Sequence, residues 1–168
     1  MDVPRDVLQG EDRMIEVRLA VPDDAAAVKT VEASAIATLR KTYRPNQAAL
    51  ANRARLAPRL KRIVAAIDGR VVGTAQYFVE NQAVRVIGLS VHADFRRQGV
   101  ARAMFRFLED IGKGEGASCF RLFTVKQTGN VEVFSRIGFR IVAEQKDDFS
   151  ESDMYDTLIE VEMEKQFQ

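Results

Sequence analysis

The sequence predicts an α/β (α+β) fold, in which a mixed, mostly antiparallel central sheet of about seven strands is flanked by about four helices. The prediction depends on three observations. The local patterns follow the order β-α-α-β-β-β-α-β-α-β-β along the chain. The consecutive strand patterns in the middle suit an antiparallel meander, whereas the two βα units need crossover connections. Helices are then expected to cover the sheet.

The N-terminal part combines one strand with two helices. Residues 14–20 alternate apolar and polar side chains, as expected of a half-buried strand. The Pro-Asp-Asp run at 22–24 is typical of a helix start, because proline lacks an N–H donor and acids favour the positive end of the helix dipole. An alanine-rich amphipathic run continues to Leu39. The Pro-Asn pair at 45–46 opens a second helix, which Pro58 closes.

The middle of the chain contains three predicted strands, over 63–67, 71–79 and 84–91. The first two are joined by Asp68-Gly69, and an Asp-Gly pair between apolar runs is a strong hairpin signal. A helix follows over 100–111, with its apolar side chains on one face, and glycines at 112, 114 and 116 mark its end. The remaining elements are a strand over 120–125, a helix over 130–137 that stops at Gly138, and the last strands over 139–143 and 157–163.

Length and composition exclude several classes of protein. A chain of 168 residues suits one domain, and we expect a flexible tail over residues 1–13 followed by a single domain over 14–168. The apolar fraction of 46% excludes a wholly disordered chain, and a net charge of +1 argues against a nucleic-acid binder. One cysteine and one histidine exclude an intrachain disulfide and a Cys/His zinc site, so no metal is expected. The N-terminal residues lack the apolar run of a signal peptide, and no stretch approaches the roughly 18 apolar residues of a membrane span, so a cytoplasmic protein without a membrane partner is expected.

The most informative segment is Leu89-Ser-Val-His-Ala-Asp-Phe-Arg-Arg-Gln-Gly-Val-Ala-Arg102, where a predicted strand passes through a basic loop into a predicted helix. The N–H groups of the first helical turn lack partners within the helix, and the helix dipole favours negative charge there. Gly99 lets the backbone approach an anion closely, and the small Ala101 keeps that approach open. Positive charge is added by Arg96, Arg97 and Arg102. The segment therefore predicts a phosphate-binding site.

The spacing Arg96-x-x-Gly99-x-Ala101, after a strand that ends in Val91-His92, resembles the (Arg/Gln)-x-x-Gly-x-(Gly/Ala) signature of the GNAT (N-acetyltransferase) superfamily. Residues 129–139, Gly-Asn-Val-Glu-Val-Phe-Ser-Arg-Ile-Gly-Phe, resemble the late helix of that family, which ends in Gly-Phe. The order of elements resembles the family fold over about residues 14–167. The signature is specific for the superfamily and its CoA cofactor, and it does not specify an acceptor.

The resemblance implies the GNAT acyl-CoA N-acyltransferase fold, with acetyl-CoA (CoA) as cofactor. Backbone amides of residues 98–101 would hold the pyrophosphate. The backbone of the strand end would pair with the pantetheine arm, in a gap between this strand and 120–125, and one amide there would polarise the thioester carbonyl. The residues implied in cofactor binding are Leu89, Val91, Arg96, Arg97, Gln98, Gly99, Val100, Ala101, Arg102, Asn130 and Phe134, the last two at the thiol end.

The resemblance also implies an N-acetyltransferase that moves an acetyl group to a primary amine, on a small molecule or a protein, by direct attack in a ternary complex. Two positions depart from the family. Many members protonate the leaving thiolate with a Tyr where this chain has Phe134, and some use a Glu where it has Arg85. These departures keep open a non-catalytic acyl-CoA-binding sensor or regulatory module.

The candidate catalytic residues are Glu80 and Glu132 as general bases and Tyr77, which could order a water. His92, the single histidine, occupies a strand-end position that often carries His without a catalytic role in the family. Cys119 is interpreted as a small buried core residue.

In the family, the first two helices and the loop between the last two strands cover the acceptor. Tyr43, in the connection between those helices, either forms a wall for the acceptor or packs onto its own loop. The acid-rich segment 146–156 could attract a cationic acceptor, but a solvated, mobile loop is the interpretation that we favour. The last strands could also pair across the subunits of a homodimer.

Overall fold

The computed structural model describes residues 14–168, so the predicted tail over residues 1–13 lies outside the described residues. Within this range the helices and strands follow one another as β1 (Ile15–Leu19), α1 (Ala25–Leu39), β2 (Arg44–Pro45), α2 (Gln47–Leu56), β3 (Lys61–Ile67), β4 (Arg70–Glu80), β5 (Ala83–Val91), α3 (Val100–Gly114), β6 (Cys119–Val125), α4 (Asn130–Ile137), β7 (Arg140–Lys146), β8 (Ser150–Glu151) and β9 (Ile159–Gln166). None of the helices described is long and apolar enough to span a membrane.

Seven of these strands form one sheet in the order β1-β3-β4-β5-β6-β9-β7. Neighbouring strands are antiparallel, except for β5 and β6, which run parallel because α3 crosses over between them. The predicted mixed, mostly antiparallel sheet with four helices is therefore confirmed. The predicted hairpin is also confirmed, since Asp68 and Gly69 join β3 to β4 with φ of 52° and 80°, the left-handed values that a tight two-residue turn requires.

The two faces of the sheet are covered by different helices. A Cβ placed on Gly73 of β4 would lie 2.8 Å from Val100 of α3, so this residue faces α3. The next residue, Thr74, accepts a hydrogen bond of 2.9 Å from Arg62, which also pairs with Glu32 of α1. Side chains alternate between faces along a strand, so odd positions of β4 after Gly73 face α3 and even positions face α1. The larger hydrophobic core lies between the sheet and α3.

Two features of the fold differ from the sequence prediction. Helix α3 continues to Gly114 and includes Gly112, which we expected to end it. The second is an additional antiparallel ribbon, in which β2 pairs with β8 and ties the α1–α2 connection to the segment between β7 and β9. The acidic segment that we interpreted as a mobile loop is therefore held in place, for example by hydrogen bonds from Asn46 to the carbonyl oxygens of Asp148 and Phe149.

Candidate active site

A gap opens between β5 and β6 in the middle of the sheet. The two strands pair only where Ala83–Arg85 meets Cys119–Arg121, and the rest of each strand diverges from the other. The register between β4 and β5 shifts between Thr74 and Gln76, a β-bulge that also involves Gly88 at φ 66°. Such a bulge bends a strand away from its neighbour and exposes backbone groups that would otherwise be paired.

The backbone of Leu89 and Val91 points into this gap. The N–H of His92 donates to the carbonyl oxygen of Val72 in β4, at 2.8 Å. Backbone groups alternate sides along an extended strand, so those of Val91 and Leu89 point the other way, towards β6. Because β6 has already diverged, these donors and acceptors are free to pair with an extended ligand. Their side chains pack onto the α3 core.

The N-terminus of α3 lies directly after this strand. Gly99, its N-cap, has φ 85°, and a Cβ there would meet only Ile15, at 3.9 Å, so the backbone conformation rather than crowding within the protein requires glycine. The first helical hydrogen bond runs from the N–H of Ala103 to the carbonyl oxygen of Gly99. The amides of Val100 and Ala101 thus have no acceptor within the helix.

Three arginines flank these amides in the chain. Arg96 and Arg97 are exposed and form no ion pair with the residues described, and Arg97 has a left-handed φ of 63°. Arg102 donates to the carbonyl oxygen of Arg136 in α4, at 3.0 Å, which fixes its side chain near the helix start. Free amides, a helix dipole and several guanidinium groups form a donor set that suits a diphosphate. The residues therefore fit the phosphate end of CoA.

His92 and Gln98 shape the loop that leads to α3. The Nδ1 of His92 accepts the N–H of Asp94 at 3.1 Å, and its ring meets Phe95 edge-on. The Nε2 of Gln98 donates to the carbonyl oxygen of Asp94 at 3.3 Å. All of these contacts lie within the loop, so both side chains stabilise the turn that precedes α3.

On the other side of the gap, α4 begins at Asn130 and contains Phe134. The ring centroid of Phe134 lies 5.7 Å from that of Phe139 and 6.4 Å from that of Phe105 in α3. The ring is half-buried and packs against the core, so this position of the late helix is part of an aromatic cluster. Glu132, two residues earlier in the helix, is exposed.

The structure separates the three candidate catalytic residues instead of bringing them together. Tyr77 is only 2% exposed and lies on the α3 side of β4, where burial raises the pKa of its phenol. Glu132 lies on the outer surface of α4. Glu80 is on the α1 side at the end of β4, where its carboxylate is paired with Arg59 at 2.9 Å and Arg85 at 3.7 Å. The roles of these three residues in catalysis stay predictions.

Two residues of the sheet were not among the site residues that the sequence predicted. The sequence identified Arg85 only as a departure from the family. It is the last residue of β5 that pairs with β6, and its side chain lies on the α1 face. Glu160 of β9 lies opposite Val125 of β6. Burial, followed by repulsion from Asp147, raises the pKa of Glu160. Because each depends on strand pairing, no local sequence pattern could have singled them out.

Tyr43 and Cys119 both make contacts within the protein. The guanidinium of Arg40 lies 5.7 Å from the centroid of the Tyr43 ring, and the N–H of Tyr43 donates to the carbonyl oxygen of Leu39, so the ring contacts its own loop, and its role as a wall for an acceptor stays a prediction. Cys119 is buried, and burial raises the pKa of its thiol, which disfavours the nucleophilic thiolate.

Comparison with known sequences identifies the class of protein. The acetyltransferase (GNAT) family matches residues 29–139, well over half of the chain, and the protein belongs to this family. No curated protein sequence matches the chain.

Solved structures show the same fold. The ribosomal-protein-S18-alanine N-acetyltransferase from Escherichia coli superposes with a TM-score of 0.70 at 16% identity, over 92% of this chain and 95% of its own. The protein yncA from Salmonella typhimurium, solved with its cofactor acetyl-CoA, gives 0.65 at 18% identity, over 92% and 94%. The Bacillus subtilis acetyltransferase in complex with CoA gives 0.67 at 12% identity, over 92% and 100%.

Proposed function

We propose that this protein is an acetyl-CoA-dependent N-acetyltransferase that transfers an acetyl group to a primary amine by direct attack in a ternary complex. The observation that carries the proposal is the gap between β5 and β6, which leads from the N-terminus of α3 to the middle of the sheet. Family membership supports it, as do structural relatives that were solved with acetyl-CoA or CoA.

The cofactor-binding residues are proposed at both ends of this gap. The amides of residues 98–101 bind the pyrophosphate, and the nearby arginines Arg96, Arg97 and Arg102 add charge-assisted hydrogen bonds. The free backbone groups of Leu89 and Val91 pair with the pantetheine arm in the manner of an added strand. An amide in this bulged strand end donates to the thioester carbonyl oxygen, where negative charge develops during the reaction.

In the transfer, the nitrogen of the neutral amine bonds to the carbonyl carbon, the C–S bond breaks, and one proton passes from nitrogen to the departing sulfur through solvent. Phe134 has no proton to donate, and its ring is held in the aromatic cluster. Thiols are far more acidic than alcohols or amines, as the cysteine pKa of about 8.5 illustrates, so a thiolate can leave near neutral pH without a dedicated acid. A catalytic tyrosine at this position is therefore not essential for turnover.

Titration calorimetry with acetyl-CoA tests the cofactor site. We expect wild-type protein to bind, and Gly99→Glu to bind at least about tenfold more weakly, because it adds a negative charge and a side chain to a left-handed residue. Gly116→Glu is the matched control, since Gly116 has φ 82° and open space around it but follows the other end of α3. No binding to the wild type, or equal losses in both variants, would refute the proposed site.

The sensor remains the second candidate function, because Phe134 replaces the proton donor of many family members and its ring packs against Phe105 and Phe139. The two functions differ in turnover. Thiol release from acetyl-CoA in the presence of amines supports the enzyme, whereas binding without release across a broad amine panel supports the sensor.

A further inference from the structure

The closed end of the gap carries an arginine on the side from which an acceptor would approach. Arg85 pairs with Arg121 at the last parallel position, and two residues later β6 has diverged. The Arg85 guanidinium nevertheless lies 5.3 Å from the ring centroid of Phe123, which belongs to the diverged part of β6. The side chain of Arg85 therefore crosses from β5 to β6 over the start of the gap.

Aromatic rings hold this guanidinium and that of Arg59. Phe78, which is 7% exposed, lies 4.6 Å from Arg59 and 6.0 Å from Arg85, measured from ring centroid to guanidinium carbon. Stacking engages the flat face of a guanidinium and leaves the N–H donors in its plane free to bind a planar anion. The side chain of Arg85 is 25% exposed, so it is preorganised and still accessible.

The charges around Phe78 do not balance. Glu80 is the only carboxylate among the described residues that forms an ion pair with Arg59 or Arg85, at 2.9 Å and 3.7 Å. In the neighbouring group, Arg121 is paired with Glu162 and Glu164, and Glu164 is also paired with Arg140, so that group is balanced. Two guanidinium groups and one carboxylate leave one positive charge, which suits a carboxylate better than a phosphate of nearly two negative charges.

An arginine at this point cannot act as a general base, because its guanidinium stays protonated in proteins. Its chemistry is the recognition of anions, often through two parallel N–H donors. Arg85 replaces an acid that some family members use, so it inverts the sign of the charge next to the reacting centre.

We propose that Arg85, supported by Arg59 and Phe78, binds a carboxylate of the acceptor, which makes the substrate an amine that carries an acid group, such as an amino acid. This inference rests on the proposed acetyltransferase function and assigns its acceptor class. Arg85 is a specificity-determining residue in this assignment.

Matched acceptors test the assignment. Initial rates of CoA thiol release are measured for each proteinogenic amino acid and for its α-carboxamide, which keeps the amine and removes the negative charge. We expect at least one amino acid to have a kcat/KM about 10- to 100-fold above that of its carboxamide. The amine of the carboxamide is the weaker base and is more often neutral, so intrinsic reactivity cannot produce this preference.

Variants then assign the preference to the arginines. Arg85→Gln should abolish the preference for the amino acid over its carboxamide, mainly by raising KM for the amino acid. The rate on the carboxamide, which lacks the carboxylate, should be kept. Arg59→Gln should reduce the preference by a smaller factor. This variant is the second test if Arg85→Gln fails to fold. Arg106→Gln is the matched control, because Arg106 is exposed on α3 and should leave both rates unchanged.

Calorimetry with acetyl-CoA separates the possible failures. If the wild type does not bind acetyl-CoA, the proposed function itself is refuted. If it binds, the carboxylate assignment is overturned by carboxamides that react as fast as the acids, by a preference that survives in both arginine variants, or by a lack of turnover of every amino acid.

Discussion

A single buried carboxylate shows how strongly one side chain can be tied to its surroundings. Asp24 accepts two hydrogen bonds from the guanidinium of Arg18, at 2.8 Å and 3.0 Å, and one from the N–H of Val21, at 2.8 Å. The hydrogen bonds from Arg18 make the largest contribution and that from Val21 the next, and they lower the pKa of Asp24 to about 2. Asp24 thereby anchors β1 to the turn that starts α1.

The sign of its pH dependence follows from linkage. A carboxyl whose pKa is lowered by folding stabilises the protein above its unfolded pKa near 4, and this stabilisation is lost as the pH falls towards about 2. We expect Asp24→Asn to lower the free energy of unfolding at pH 7 by about 1 kcal/mol, since the partly exposed Arg18 is screened by solvent. Urea titrations of both proteins should show this difference shrinking between roughly pH 4 and pH 2.

Asp23→Asn is the control for this pair, because Asp23 is exposed and should change stability little at any pH. A difference between wild type and Asp24→Asn that is constant over the acid range would mean that the ionised carboxylate is not the stabilising species.

The packing of α3 onto the sheet depends on a glycine inside the helix. A Cβ on Gly112 would lie 2.6 Å from Val84 of β5 and 2.9 Å from Phe167. Gly114 is in the same helix, but a Cβ there would meet nothing within 4 Å. The close approach at Gly112 brings α3 onto β5 at its closed end, where β5 pairs with β6.

The two glycines should therefore respond in opposite ways to alanine. Gly112→Ala gains about 1 kcal/mol of helix propensity but loses about 1–3 kcal/mol or more to overpacking against a strand, so we expect net destabilisation. Gly114→Ala gains propensity without the clash and should stabilise by about 0.5 kcal/mol. Chemical denaturation of the two variants measures the contrast, and equal effects would show that α3 does not pack closely at Gly112.

Elements whose contacts join residues close together in the chain could be predicted from the sequence, and elements that join distant segments could not. The Asp68-Gly69 hairpin and the α4 helix up to Gly138 depend on residues that are adjacent in the chain, and both were predicted. The two-residue ribbon between Arg44–Pro45 and Ser150–Glu151 joins segments about a hundred residues apart and leaves no local pattern. Gly112 was misinterpreted as a helix end because its packing role exists only once α3 meets β5.

The same distinction applies to the candidate site as a whole. The phosphate-binding end is one continuous segment, residues 89–102, and its spacing was sufficient to predict the anion site and the family. The proposed acceptor side combines Arg59, Phe78, Arg85 and Phe123, which come from four parts of the chain. Only the parallel pairing of β5 with β6 brings Arg85 and Phe123 together, so the sequence could indicate neither the cluster nor its charge.

At the scale of the whole molecule, the structure contains a second concave surface besides the gap. We predict which of the two surfaces binds acetyl-CoA. A groove of about 360 Å³ lies between α3 and the C-terminal part of the chain, lined among others by Arg102, Arg106, Glu109, Asp110 and Lys165. Its basic side chains could attract phosphates, but two carboxylates lie among them, and the groove lacks the unpaired strand backbone that the gap between β5 and β6 supplies. The gap should therefore be the binding site.

Hydrogen exchange, with and without acetyl-CoA, decides between the two surfaces. At about 100 times its dissociation constant a ligand adds about 2.7 kcal/mol to the free energy of unfolding, and amides that it binds directly gain further protection. We expect this local protection at residues 86–91 and at the start of α3, because the free amides there become paired. Protection confined to residues 105–110 and 137, without protection at 86–91, would place the cofactor in the groove and contradict the gap. If the gap is the site, Arg106→Gln should leave the pattern unchanged.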